Sequence, residues 1–146
     1  AQKAEFARQF GASEIIVAGA EDVAQRLDAL TNGDGADVVI EAVGLPLTFT
    51  QAIDFVGFAG RVVYVGYSKA PVSYETRFFN LKELDILGSR NATRADFEAV
   101  VAYLETLGPK ADALISKRFA FADADQALSF WSANPDALKV VIEVAA

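Results

Sequence analysis

Two apolar runs of this chain end on a glycine: Asp37-Val38-Val39-Ile40-Glu41-Ala42-Val43-Gly44 and Arg61-Val62-Val63-Tyr64-Val65-Gly66-Tyr67. A glycine at the carboxyl end of a strand lets a planar ligand reach the backbone without meeting a Cβ. One such glycine is explained by a turn alone, whereas two in this order and at this spacing point to a ligand cleft. The residues that drive much side-chain chemistry are missing, because the chain has no Cys and no His. Disulfides and thiolate metal sites are thereby excluded, and a zinc ion would have only carboxylates for ligands. The expectation is a binding surface with no catalytic side chain and no metal ligand of its own.

The elements that must hold such a cleft follow from periodicity. Residues 2–10 read as a helix, with Phe6 and Phe10 four apart and Gly11 to end it. Glu14-Ile15-Ile16-Val17 is a β-branched run between Gly11 and Gly19 and reads as a strand. A helix from about residue 21 carries Val23, Leu27 and Leu30 on one face and stops at Asn32-Gly33-Asp34-Gly35. Residues 37–42 and 61–66 are nearly continuous apolar strands, separated by a helix over 47–58 that buries Phe49, Ile53 and Val56. An extended piece, Val72-Ser73-Tyr74, and a helical stretch over 77–83 lead to a further strand at 84–89. Thr93-Arg94-Ala95-Asp96 has the form of a capping box with Asp in place of Glu or Gln, and Phe97, Val100, Val101 and Leu104 follow as a core stripe. Strands at 113–121 and 138–144 flank a helix at 123–131, whose Trp131 is also assigned to the core. Short strands alternating with helices through Gly-bearing turns predict an α/β fold with a parallel sheet, and such sheets bind ligands at the carboxyl ends of their strands.

Composition narrows the partners. A chain of 146 residues can bury roughly 68 to 70% of its unfolded surface. Its 53% hydrophobic content and mean hydropathy of +0.25 suit strands covered on both faces. Thirteen Lys and Arg against twenty Asp and Glu give a net charge of -7, with no basic cluster to neutralise a run of phosphates. Nucleic acid and membrane are therefore not expected as partners. No apolar run reaches the roughly 20 residues that span a bilayer, and no export signal opens the chain, so a cytoplasmic location is expected. The opening Ala1-Gln2-Lys3-Ala4-Glu5-Phe6 reads as mid-helix, the way an internal fragment begins.

The ordered set Phe10-Gly11-Ala12, Gly35-Ala36 with the strand up to Gly44, Gly60 with the strand up to Gly66, Lys82-Glu83-Leu84-Asp85-Ile86-Leu87-Gly88-Ser89-Arg90-Asn91, and Ala137-Leu138-Lys139-Val140-Val141-Ile142 resembles the medium-chain dehydrogenase/reductase family. Within it the chain is similar to the zinc-type alcohol, polyol and sugar-acid dehydrogenases, over nearly its whole length. The resemblance implies a partial Rossmann-like doubly wound parallel sheet, strands 3 to 6 of the family fold, followed by a C-terminal α+β tail. Residues 1–91 would be the C-terminal part of the dinucleotide-binding domain, and residues 92–146 a tail that packs on or completes the catalytic domain.

The resemblance further implies a parent NAD(P)-dependent oxidoreductase that moves hydride between NAD or NADP and a small-molecule alcohol, polyol or sugar acid. The family's glycine-rich phosphate loop and zinc ligands would lie before Ala1. Zinc is thus expected in the parent and not in this chain, which by itself is expected to be inactive. A zinc-free quinone or enoyl reductase of the same superfamily, and a non-enzymatic α/β nucleotide-binding or interaction module, stay open as alternatives.

Carried over by position, Val43 and Gly44 would contact the adenosine side or the cofactor ribose. Val65, Gly66 and Tyr67 would wall the nicotinamide, and the backbones of Ser89 and Asn91 would pair with its carboxamide. Arg90 would face the substrate or else form a surface ion pair. Lys139 would approach the pyrophosphate or else be the outward residue of an alternating strand. A homo-oligomer is expected through an edge strand near Val72-Ser73-Tyr74. Residues 14–17, as strand 3, would lack their neighbour in the 3-2-1-4-5-6 order, and would stand about 9 to 10 Å from strand 4, move against its edge or pair with another chain.

Overall fold

A computed structural model describes residues 2–144. In chain order the elements are helices α1 (Gln2–Gln9) and α2 (Val23–Thr31), strand β1 (Ala36–Glu41), helix α3 (Pro46–Phe55), strand β2 (Val56–Tyr64), helix α4 (Arg77–Leu81), strand β3 (Asp85–Gly88) and helix α5 (Arg94–Leu107). A 3-10 helix (Gly108–Leu114), strand β4 (Ile115–Ala120), a 3-10 turn (Phe121–Asp123), helix α6 (Asp125–Ala133) and strand β5 (Lys139–Glu143) complete the order. The chain divides into two units, residues 16–91 and residues 1–15 together with 92–146.

In the first unit the β-branched runs do what their composition dictates. Strands β1, β2 and β3 pair in that order, all parallel, with Val39 opposite Val62 and Val62 opposite Ile86. Parallel neighbours need a crossover, which α3 supplies, entered through Pro46 at its first turn, where a missing N–H costs nothing. Helix α3 lays Ala52 and Ile53 on the sheet against Val56 and Val62, all buried, with Val39, Tyr64, Phe78 and Leu84 packed around them. The alternate strand residues Val38, Ile40 and Leu87 project to the other face and are exposed. At the carboxyl end of α3, the Lys82 ammonium donates to the carbonyls of Ile53, Asp54 and Val56 at 2.9, 3.1 and 2.8 Å. That one cation satisfies acceptors a helix end would otherwise leave unpaired.

Helix α3 stops three residues short of the expected end at 58, and β2 begins at Val56. The reason is a close crossing of glycines. A Cβ on Gly35 would stand 2.9 Å from the Gly57 nitrogen, and one on Gly57 would collide with the Asp34 carbonyl. Only a chain bare of side chains can turn from helix to strand at this distance from the start of β1.

Two expected strands do not form. Residues 14–17 make no ladder with any described residue, and the sheet holds β1, β2 and β3 alone. A strand exists only with a partner for its N–H and C=O groups. Here the Val17 N–H donates to the Glu21 carboxylate at 2.8 Å, and its carbonyl accepts from Ala20 and Glu21, so the segment is closed by its own turn. Nor is the Val72-Ser73-Tyr74 segment a strand. Tyr74 instead turns inward, its ring 6.5 Å from Tyr64 and 5.7 Å from Phe79.

The second unit has its own small core. Strands β4 and β5 pair in parallel across α6, with Phe119 and Ala127 buried and the Phe119 ring 5.7 Å from Phe130, edge to face. The Thr93 hydroxyl and the Asp96 carboxylate form the expected capping box at the start of α5. The stripe that follows is not core. Phe97 is 65% exposed, and Val100, Val101, Leu104 and Trp131 are exposed as well. Helical spacing gives α5 an apolar side, but no described residue of its unit covers that side.

Candidate functional site

The carboxyl ends of β2 and β3 line one pocket, and the turn after β1 packs directly against the end of β2. The pocket is open, about 390 Å³ in volume, and lined by Tyr64, Val65, Gly66, Tyr67, Gly88, Ser89 and Arg90. After β1 the chain turns through Gly44, whose φ of +85° suits glycine, and runs into α3. After β2 it passes Gly66 and Tyr67 at very short range from that turn. A Cβ on Gly44 would stand 2.9 Å from the Tyr67 oxygen, and one on Gly66 would stand 2.5 Å from the Gly44 nitrogen and overlap a carboxylate oxygen of Glu41. The floor of the cleft is therefore backbone, and its rim is apolar, with Val43, Val65 and Tyr67 exposed by 67, 52 and 74%.

Seven of the nine residues singled out from the sequence lie at this end of the sheet: Val43, Gly44, Val65, Gly66, Tyr67, Ser89 and Arg90. Asn91 follows directly on Arg90. The Ser89 N–H already donates to the Tyr64 carbonyl at 2.9 Å, which leaves its carbonyl and hydroxyl for a ligand. The Arg90 guanidinium carbon lies 6.0 Å above the centre of the Tyr67 ring, so a cation and an aromatic face share one wall. Lys139 is an exposed residue at the start of β5, in the other unit.

Glu41 and Thr48 were not singled out from the sequence, yet they build the turn. Glu41 is only 4% exposed. Its Oε1 accepts from the N–H groups of Val43 and Gly44 at 2.9 and 2.8 Å and from the Thr48 hydroxyl at 2.6 Å. The signal available was a lone acid closing an apolar strand, two residues after the core-facing Val39. Burial works to raise the Glu41 carboxyl, but the hydrogen bonds from Thr48, Gly44 and Val43 outweigh it and hold the group below its ordinary value of 4.5. A carboxyl lowered on folding contributes stability that is present above the unfolded value and is lost as pH falls through the folded one. Acid titration of this chain is therefore expected to show destabilisation below about pH 4.5 that is shallower in Glu41→Gln. Identical acid profiles for the two would contradict the assignment.

Among the described residues no group of three or more Asp, Glu, His or Cys side chains is placed to hold a metal ion, so these residues offer zinc no seat. A flat, partly polar ring suits the lining better, since Val65 and the rings of Tyr64 and Tyr67 stand beside Ser89 and Arg90, and Gly88 leaves open space. Among the described residues, no helix is long and apolar enough to cross a membrane.

Comparison with known proteins agrees with this geometry. Residues 1–106 match the family model described as zinc-binding dehydrogenase. The chain is 30% identical over 135 residues to a zinc-type alcohol dehydrogenase-like protein of Haemophilus influenzae, covering 92% of this chain and 39% of that protein. It is 33% identical over 108 residues to L-galactonate-5-dehydrogenase of Escherichia coli, covering 74% of this chain and 32% of that one. Among solved structures, an alcohol dehydrogenase from Thermus sp. superposes with a TM-score of 0.82 at 27% identity, over 97% of this chain and 41% of its own. The chain thus spans about two fifths or less of the length of these relatives.

Proposed function

From a chain that belongs to the zinc-binding dehydrogenase family, we propose a parent protein that is an NAD(P)-dependent oxidoreductase acting on an alcohol, polyol or sugar acid. The observation that carries this reading is the open pocket at the carboxyl ends of two adjacent parallel strands, with the glycine turn after the third packed against it. When bound, the nicotinamide supplies the two-electron acceptor for the substrate carbon. The residues of this chain bind and orient it. Val43 and Gly44 take the ribose or adenosine side, and Val65, Gly66 and Tyr67 cover one face of the ring and exclude water from it. The Ser89 carbonyl and the Asn91 N–H are the backbone groups assigned to the carboxamide, and Lys139 is assigned to the pyrophosphate. Arg90 faces the substrate, where a guanidinium suits the carboxylate of a sugar acid.

The same reading gives residues 1–91 to the cofactor domain and residues 92–146 to a tail that serves the catalytic domain. The structural break after Asn91 supports the second boundary, while residues 1–15 group with the tail. Zinc belongs to the parent in this reading, as do a cytoplasmic location and a homo-oligomer formed near Val72-Ser73-Tyr74, where Ser73 is exposed.

The test uses the full-length protein that contains this chain. NADH or NADPH is expected to bind, and the matching oxidised form is expected to be reduced in the presence of a polyol or sugar acid. Arg90→Ala is expected to raise KM for sugar acids by about tenfold, the worth of one charge-assisted hydrogen bond, with NADH affinity unchanged. A full-length protein that binds neither NADH nor NADPH would overturn the reading.

A further inference from the structure

Glu41 is the buried charged residue of the described chain, and its placement is more than packing. An apolar side chain of similar size would fill the same space at no cost in desolvation, whereas a buried carboxylate persists only where hydrogen bonds compensate it. Its bonds are concentrated in a telling way. Its backbone carbonyl accepts from Val65 and Gly66 at 2.8 and 2.9 Å, while its Oε1 accepts from Val43, Gly44 and Thr48. One residue thus holds both of the segments that floor the cleft.

The turn needs that acceptor. Val43 and Gly44 lie between the end of β1 and the start of α3, and it is the carboxylate that takes their N–H groups. The same carboxylate anchors α3, whose N-cap Leu45 has no capping side chain. Thr48 bridges the two, its hydroxyl donating to Glu41 Oε1 and accepting from the Leu45 N–H at 3.3 Å. An anion at the N-terminus of a ten-residue helix is favoured in addition by the helix dipole. The second carboxylate oxygen, Oε2, is buried without a partner and is directed at Gly66, where a Cβ would overlap it.

We infer that Glu41 is a positioning residue for the cofactor: its carboxylate and carbonyl hold the Val43–Gly44 turn packed against Gly66 and Tyr67, and so fix where the β2 wall of the pocket stands for a planar ring. The inference rests on the nucleotide-binding reading above. Glu41 need not touch the cofactor, because it acts through the backbone of residues 43, 44, 65 and 66. Glutamine at this position keeps one acceptor oxygen but loses the charge, and alanine loses the acceptor altogether.

The experiment is cofactor titration and steady-state kinetics on the full-length protein that contains this chain, with NADH and NADPH as probes and thermal unfolding measured alongside. Glu41→Gln is expected to raise the Kd and KM of the preferred cofactor by about tenfold, with kcat at saturating cofactor within about threefold of the parent. Glu41→Ala is expected to raise them further, and Thr48→Val, which removes a single donor, to raise them less. Should Glu41→Ala fail to fold, Glu41→Gln and Thr48→Val carry the test. Variants with lowered unfolding midpoints but unaltered cofactor Kd below those midpoints would make Glu41 purely structural and overturn the inference. A parent protein that binds NADH or NADPH while Glu41→Gln binds equally well would overturn it too and leave the dehydrogenase reading intact. A parent that binds neither overturns the dehydrogenase reading itself.

Discussion

Gly66→Ala is expected to be the most damaging single-methyl change at the cleft, destabilising the fold by about 3 kcal/mol and, under the proposed dehydrogenase reading, lowering the affinity of the full-length protein for NADH or NADPH about a hundredfold. The added Cβ would overlap Glu41 Oε2 and stand 2.5 Å from the nitrogen and 2.9 Å from the Cα of Gly44. Two of these three neighbours are backbone. A flexible side chain could swing aside, but the Gly44 backbone is tied to Glu41 Oε1 at 2.8 Å, and a Cβ on Gly44 would stand 2.9 Å from the Tyr67 oxygen, so the turn is hemmed in on that side too. Relief therefore requires the whole turn to move away from β2, or the end of β2 to shift toward the pocket it lines. Gly88→Ala is the matched control, since a Cβ there meets nothing within 4 Å, and its fold is expected to be as stable as the parent to within about 0.5 kcal/mol. Denaturant unfolding of the two variants, and cofactor titration of Gly66→Ala against the parent, decide the matter; equal stability of the two variants would mean that the turn is softer than its hydrogen bonds indicate.

Ile53→Ala should cost about 2 to 5 kcal/mol, the range for removing a buried branched side chain and leaving a cavity. Ile53 is 4% exposed and sits with Ala52, Val56 and Val62 in the center of the first unit's core. Because that core is small, its stability margin is small too, and a loss of this size is expected to erase a cooperative transition in the unit rather than merely shift it. Phe97→Ala removes a larger side chain from α5, yet Phe97 is 65% exposed, so in this chain the change should fall within about 0.5 kcal/mol. Unfolding curves of the two variants under the same conditions test the contrast. A Phe97 variant as unstable as the Ile53 one would mean that the α5 face is covered.

The parts of the molecule that could be read from the residues alone are those governed by neighbours in the chain. Continuous Val and Ile runs specified β1 and β2, since β-branched side chains favour extended backbone, but the expected cover on both faces is found on one only, and Val38 and Ile40 stay exposed. Thr93 with Asp96 specified the start of α5, since both capping bonds close within three residues. Gly44 and Gly66 marked the cleft because an absent Cβ is a local property that permits a close approach. Other features were beyond that reach. Glu41 looks like any strand residue until α3 and Gly66 bury it, and Lys82 looks like any surface lysine until it reaches three carbonyls 26 to 29 residues away. Residues 14–17 have the composition of a strand, but composition cannot supply the partner on which a strand depends. The stripe from Phe97 to Leu104 has helical period, but period says only that one side is apolar and leaves open what meets it. Sequence determined the local backbone preferences and the positions where chain segments pass without a Cβ between them; burial, pairing and the hydrogen bonds that shape the cleft were decided by the tertiary structure, because each depends on atoms brought together from distant parts of the chain.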